Sequence, residues 1–135
     1  MTDGETVTED AFSVRLPADV TACRTARELL GDLLRQAQAE DRLVHEAQLV
    51  LHELVINGVL HGRSDAQGEI TVQGAVVGGR LELVVEDAGT GGRIAVRPPT
   101  EDQDSGRGLA IVDALCESWT VDQTHGTRVS ARIAL

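Results

Sequence analysis

Glu53, Asn57 and His61 stand four residues apart in an otherwise apolar run, Glu53-Leu-Val-Ile-Asn57-Gly-Val-Leu-His61-Gly62. Residues at this spacing lie along one ridge of a helix, so the run predicts a short polar row. Rotation of about 100° per residue puts Leu43, Ala47, Val50 and Leu54 on one flank of that row and Leu49, Ile56 and Leu60 on the other. The water-facing arc falls at His45, Gln48 and His52. A carboxylate and an amide between apolar flanks are costly unless something binds them, and a metal ion with its ligand answers that description. A helix-surface glutamate and a packing amide near Gly58 and Gly62 answer it equally well. This segment alone does not decide between the two.

Two glycine-rich segments follow. Asp87-Ala-Gly89-Thr-Gly91-Gly92 comes directly after a strand-like stretch, Leu81 to Glu86. A carboxylate at a strand end accepts hydrogen bonds, for example from an exocyclic amine, and glycines let backbone approach a flat ring with no Cβ between them. An ordinary glycine turn is the simpler explanation of this box on its own. Asp104-Ser105-Gly106-Arg107-Gly108-Leu109 opens a helix. Free N–H groups and the positive dipole end make such a start a phosphate site, although a helix capped by Ser105 looks the same in sequence. The chain has no lysine, so no Walker loop can exist, and no GxGxxG occurs in a strand-to-helix turn. His and Cys show no zinc spacing, and no serine elbow is present.

Composition narrows the classes further. A chain of 135 residues, 41% hydrophobic, suits one domain with a real core. Phe12 and Trp119 are its only aromatic residues, which leaves the core to Leu, Val, Ile and Ala. A formal net charge of −10 repels nucleic acid and anionic lipid, and there is no basic stripe to overcome this. All twelve basic residues are arginines, so an anionic ligand must be held by backbone amides, a metal or a few Arg. Cys23 and Cys116 lack CxxC spacing and read as buried thiols of a reducing cytosol. The acidic N-terminus is unlike a secretory signal and no run reaches membrane-spanning length, so a cytoplasmic location is expected.

The positioning elements follow from periodicity. Residues 1–10 read as a flexible acidic arm and 11–135 as a single domain. Phe12, Val14 and Leu16 alternate with polar neighbours as a strand that Pro17 stops. Asp19 or Thr21 caps a helix running to about Ala39, and a second helix spans Glu40 to His61. Ile70 to Gly74 and Leu81 to Val85 form strands about a Gly78-Gly79 turn. Gly108 to Cys116 reads as a third helix, and Trp119–Asp122 with Thr127–Leu135 as a closing hairpin. The order predicts an α+β fold: a two-layer α/β sandwich whose mixed, mostly antiparallel sheet carries its helices on one face.

Taken together, these boxes resemble the GHKL, or Bergerat-fold, ATPase superfamily. Its pattern is a Glu four residues before an Asn on a helix, then DxGxG, then GxG opening a helix, then GT near the last strand. Here these are Glu53/Asn57, Asp87-Ala-Gly89-Thr-Gly91, Gly106-Arg107-Gly108 and Gly126-Thr127, in order across nearly the whole chain. Within the superfamily the chain is most similar to anti-sigma-factor serine/threonine kinases. The opening Phe12-Ser-Val-Arg strand, the His-Gly end of the asparagine box and Ser-Gly-Arg-Gly-Leu109 carry that match. The resemblance implies ATP and Mg2+ as cofactors, with Asn57 ligating the metal and Glu53 as general base. It implies Asp87 on the adenine amine and Gly89 and Gly91 lining the pocket. Gly106, Arg107, Gly108 and Leu109 would cradle phosphates, with His61 near a phosphate and Thr127 near the adenine. The lid of about Gly92 to Ser105 is short and acidic, with Arg93 and Arg97 as its cations beside Arg107. A sigma factor, a STAS-type anti-anti-sigma protein and a second copy of the chain are the partners implied.

Three functions compete: a kinase that phosphorylates such an antagonist, a non-catalytic ATP-binding interaction module or weak ATPase, and a histidine-kinase catalytic fragment. Only about forty residues precede the asparagine-box helix, which disfavours the last. Glu53 disfavours a purely structural role, because metal binding needs only Asn57.

Overall fold

The structure, a computed structural model, describes residues 5–7, 10–61, 68–87, 104–124 and 126–135, with backbone only at 5–7, 60–61 and 104–109. In chain order the elements are β1 (Glu5–Val7), β2 (Ala11–Pro17), α1 (Thr21–Gln36), α2 (Asp41–His61), β3 (Glu69–Val77), β4 (Arg80–Asp87), α3 (Asp104–Leu115), β5 (Ser118–Asp122) and β6 (Thr127–Ala134). The strands form one sheet in the order β1-β2-β3-β4-β6-β5. Every described pairing is antiparallel, so the expected mixture has no parallel member among the described strands. The three helices pack on one face, and the result is the α+β two-layer sandwich expected from the sequence.

The alternation that predicted the strands also sorts their faces. Val14 and Leu16, Ile70 and Val72, Leu81, Leu83 and Val85, and Val129, Ala131 and Ile133 point under the helices and are buried. They meet Ala26, Leu30, Leu33 and Leu34 of α1 and Ala47, Val50, Leu51, Leu54 and Val55 of α2. Gly78 (φ 59°) and Gly79 (φ 76°) adopt the left-handed conformation that a two-residue hairpin requires, and Val77 pairs with Arg80 across that turn. Asp19 accepts hydrogen bonds from the Thr21 backbone N–H, at 2.8 Å, and from the Thr21 hydroxyl, which hold its carboxyl below the ordinary range.

Several boundaries differ from expectation. Helix α1 ends at Gln36, short of Ala39, because Gln38 turns to φ 60° and the Ala39 N–H closes on the Leu34 carbonyl. Helix α3 starts at Asp104, four residues before the expected Gly108. Within the expected loose arm, Glu5–Val7 pairs with β2, whose edge would otherwise present unpaired backbone groups. Of the expected solvent arc of α2, His45 is exposed, whereas Gln48 and His52 are half-buried. The Gln48 side-chain amide donates to the Arg27 carbonyl at 3.0 Å, and His52 buries its Nδ1. Leu49 is instead 40% exposed. The cause is α1, which lies along that side of α2 and covers what the isolated helix would offer to water.

Phe12 sits opposite Gly74 across β2 and β3 and is 3% exposed. A Cβ at Gly74 would lie 2.5 Å from the ring. Gly74→Ala is therefore expected to destabilise the fold by about 1–3 kcal/mol through overpacking. At Gly58, inside α2, a Cβ would meet Val85 Cγ1 at 3.5 Å, an ordinary contact. Gly58→Ala should therefore hold or raise stability, by up to about 1 kcal/mol of helix propensity. Urea midpoints of the two variants check both outcomes; equal shifts in the same direction contradict them.

Candidate functional site

Asn57, Asp87 and Thr127 are 7%, 5% and 2% exposed, and they are the only buried polar or charged side chains among the described residues. Two of them belong to the sheet. The inward row of β4 runs Leu81, Leu83, Val85, Asp87, and the inward row of β6 runs Thr127, Val129, Ala131, Ile133. Asp87 and Thr127 are directly opposite in the register. Two apolar rows thus end on a carboxylate facing a hydroxyl-bearing residue, at the same margin of the helix-covered face. Gly126, at φ 88°, makes the bend that delivers Thr127 into this row.

Asn57 comes from the helical layer. Its neighbour Gly58 lies over Val85 and Ile70, with a Cβ position 3.5 Å and 4.0 Å from them. Both are ordinary contact distances, so α2 packs on β3 and β4 here, two residues before Asp87, at a spacing that an alanine would also allow. Asn57 is the residue before this contact and is 7% exposed. Glu53, one turn earlier, is half-buried at the boundary of the covered face. The polar row read from the sequence is therefore graded, from half-buried Glu53 to buried Asn57.

The remaining predicted residues stand as follows. His61 is the last residue of α2. Gly106, Arg107, Gly108 and Leu109 lie inside the first turns of α3, not in a loop before it. Gly89 and Gly91, with the lid from Gly92 to 103, fall outside the described residues. Downstream, α3 is tied to β5 by the Trp119 indole N–H, which donates to Asp113 at 3.0 Å. No group of three His, Cys, Asp or Glu able to hold a metal occurs among the described residues. A cation here would depend on the Asn57 amide and on its own ligand's oxygens.

A histidine kinase-like ATPase domain family matches residues 16–133 of the chain. No curated protein sequence matches it. Among solved structures, the fold is similar to the histidine kinase domain from Erythrobacter litoralis EL346 blue-light activated histidine kinase, with a TM-score of 0.57 and 20% identity. The similarity covers 82% of this chain and 61% of that one, so the chain spans about three fifths of that structure's length.

Both thiols lie near this layer and neither is poised to react. Burial pushes the Cys116 thiol up to about 11, with the Asp113 carboxylate adding to the shift. Burial also raises Cys23, opposed by Arg27 and reinforced by Glu53. A raised thiol contributes stability that is complete below its unfolded value of 9.0 and is lost as pH climbs towards about 11. Native protein at pH 8 should therefore resist Ellman's reagent at both positions and react fully in denaturant. Its unfolding midpoint should fall above pH 9, less steeply in Cys116→Ala. Rapid native labelling would contradict this assignment.

Proposed function

Because the chain belongs to the histidine kinase-like ATPase domain family, we propose that it binds Mg·ATP at the margin formed by Asn57, Asp87 and Thr127 and uses it as an anti-sigma-type serine/threonine protein kinase. The observation that carries the reading is the burial of those three side chains and no other polar ones among the described residues. A carboxylate has several acceptor sites, and one held at the end of an apolar row can add to its bonds a donor from a flat heterocycle bearing an exocyclic amine.

In this reading the Asp87 carboxylate accepts from the adenine amine, and Thr127, opposite it, lines the same side. The Asn57 side-chain oxygen fits one coordination position of Mg2+, a hard cation that commonly takes its other ligands from phosphates and water. The metal would neutralise phosphate charge in a lysine-free chain. Because α3 starts at Asp104, the backbone N–H groups free to meet phosphates would be those of its first turn, Asp104 to Gly106, with Arg107 adding charge, while the Gly108 and Leu109 amides fall within the helix's own ladder. Glu53, half-buried one turn from Asn57, would take the proton of an incoming hydroxyl as the phosphoryl group transfers. A sigma factor and a STAS-type antagonist are the proposed partners. Docking would involve α1, where Arg24 is exposed and pairs with Glu28 one turn on, at 3.3 Å.

A second reading keeps the nucleotide site and drops the chemistry, leaving a module whose ATP sets partner affinity. The acidic lid sequence favours it, because Arg93 and Arg97 are its only cations. Three variants separate the readings. Asp87→Asn turns an acceptor into a donor facing a donor and should weaken ATP binding by about 1–3 kcal/mol in calorimetry. Asn57→Ala should lose the Mg2+-dependent part of the affinity. Glu53→Ala should bind ATP normally and transfer phosphate about 10²–10⁴-fold more slowly. Unchanged ATP affinity in Asp87→Asn sinks the site. A wild type that binds ATP but phosphorylates nothing leaves the module.

The docking face has its own check. Arg24→Glu should reduce capture of the sigma factor or antagonist about tenfold or more, equivalent to about 1.4 kcal/mol, through like-charge repulsion. Its ATP affinity and circular dichroism should match wild type. An unaltered pull-down profile removes α1 from the interface.

A further inference from the structure

Four large apolar side chains stay exposed among the described residues: Val20, Leu49, Val77 and Leu135. Val20 precedes α1, Val77 borders the Gly78-Gly79 turn and Leu135 ends the chain. Leu49 is the one that stands in the middle of a helix, with no turn or terminus to account for its 40% exposure. The neighbours of α2 define what is left open around it. Val50, Leu51, Leu54 and Val55 are fully buried, and α1 covers the flank at Gln48 and His52. The remaining arc carries His45 and Leu49, exposed, with Glu46, Glu53 and Ile56 half-buried. Leu49 lies four residues before Glu53 and Ile56 three residues after it, so both adjoin that carboxylate on the helix surface.

With Glu53 as general base, the reading on which this inference rests, the hydroxyl of an acceptor must come within hydrogen-bond reach of its carboxylate, about 2.6–3.2 Å. The acceptor polypeptide must therefore cross α2 at Glu53, and the residues on either side of its hydroxyl must pass the open arc. We propose that Leu49 and Ile56 hold this acceptor segment in extended form and select a serine or threonine with a large apolar residue two positions before it and two positions after it.

The spacing is that of an extended chain laid along a helix. A rise of about 1.5 Å per residue puts Leu49 about 6 Å from Glu53 along the axis of α2, and Ile56 about 4.5 Å from it in the other direction. In an extended segment the side chains at i−2, i and i+2 share one face, about 6.6 Å apart. A hydroxyl at Glu53 therefore sets one same-face neighbour over Leu49 and the other over Ile56, while the residues between them point to water. Ile56 packs partly against the core, which fixes its position, and Leu49 offers the more accessible surface. Charge restricts the segment further. The chain carries −10 overall and Glu46 adjoins the arc, so an acceptor with Asp or Glu at these positions meets like charge.

The full chain and two short fluorescein-labelled peptides test this. One peptide has serine at its centre, leucine two positions to either side and glutamine elsewhere; in the other, both leucines are replaced by glutamine. Wild type should bind the leucine peptide about tenfold or more tighter by fluorescence anisotropy, and with Mg·ATP should phosphorylate it in preference. Leu49→Gln and Ile56→Thr should each raise KM for the leucine peptide about tenfold with kcat retained, and their circular dichroism should match wild type. Glu53→Ala should instead lower kcat and keep peptide binding. Equal binding of the two peptides by wild type overturns the inference and leaves the ATP site and the base as they stand. So does a Leu49→Gln variant that binds the leucine peptide as wild type does, or one that keeps the peptide and loses a second copy of the chain in sedimentation equilibrium. A leucine peptide that is bound selectively and never phosphorylated overturns the kinase reading, and the acceptor role of the arc with it.

Discussion

The polar margin of the covered face is the constraint on which the rest of this structure depends. A packed layer between a sheet and its helices has no water with which to satisfy polar groups, and it is almost entirely Leu, Val, Ile and Ala here. Asp87, Thr127 and Asn57 are admitted only where that layer ends. An ionised carboxylate deeper in the rows, at Val85 or Leu83, would face apolar atoms on every side and would be far more costly. The site is therefore a boundary feature. It exists because two paired strands finish their apolar rows at the same register position.

That coincidence is arranged by glycine as much as by the polar residues. Gly126 bends the chain so that Thr127 enters β6 facing inward, and Gly78 and Gly79 close the β3–β4 hairpin. None of the three contributes a functional group. The fold places its chemistry by removing side chains where backbone must turn left, and it tolerates the entropic cost of glycine at those points.

Much of this was legible in the sequence. Alternation marks which strand residues face inward, and the same alternation puts Asp87 and Thr127 on the covered side. What failed was what neighbours decide. The flank of α2 at Gln48 and His52 reads as solvent-facing from the helix alone and is covered only because α1 lies beside it. The start of α3 was placed at Gly108, since Gly106 and Ser105 carry low helix propensity, yet the helix begins at Asp104. The pairing of Glu5–Val7 with β2 has no local signal beyond three residues, too short a run to show a period.

Strand β4 ties the two faces of the molecule together. Along it Glu82, Val84 and Glu86 point outward while Leu83, Val85 and Asp87 point inward. The side-chain period of a strand is two, so a slip of one residue exchanges the faces completely. It would put Glu86 into the apolar layer and turn Asp87 out to the open sheet. Burial alone resists such a slip strongly, since Leu81, Leu83 and Val85 would all be exposed with it. The two-residue turn at Gly78-Gly79 fixes the same register from the other end, eight residues before Asp87 by the Val77–Arg80 pairing. The carboxylate at the covered margin and the charge pattern on the open face are therefore consequences of one register, and neither can be altered by shifting the strand without destroying the other.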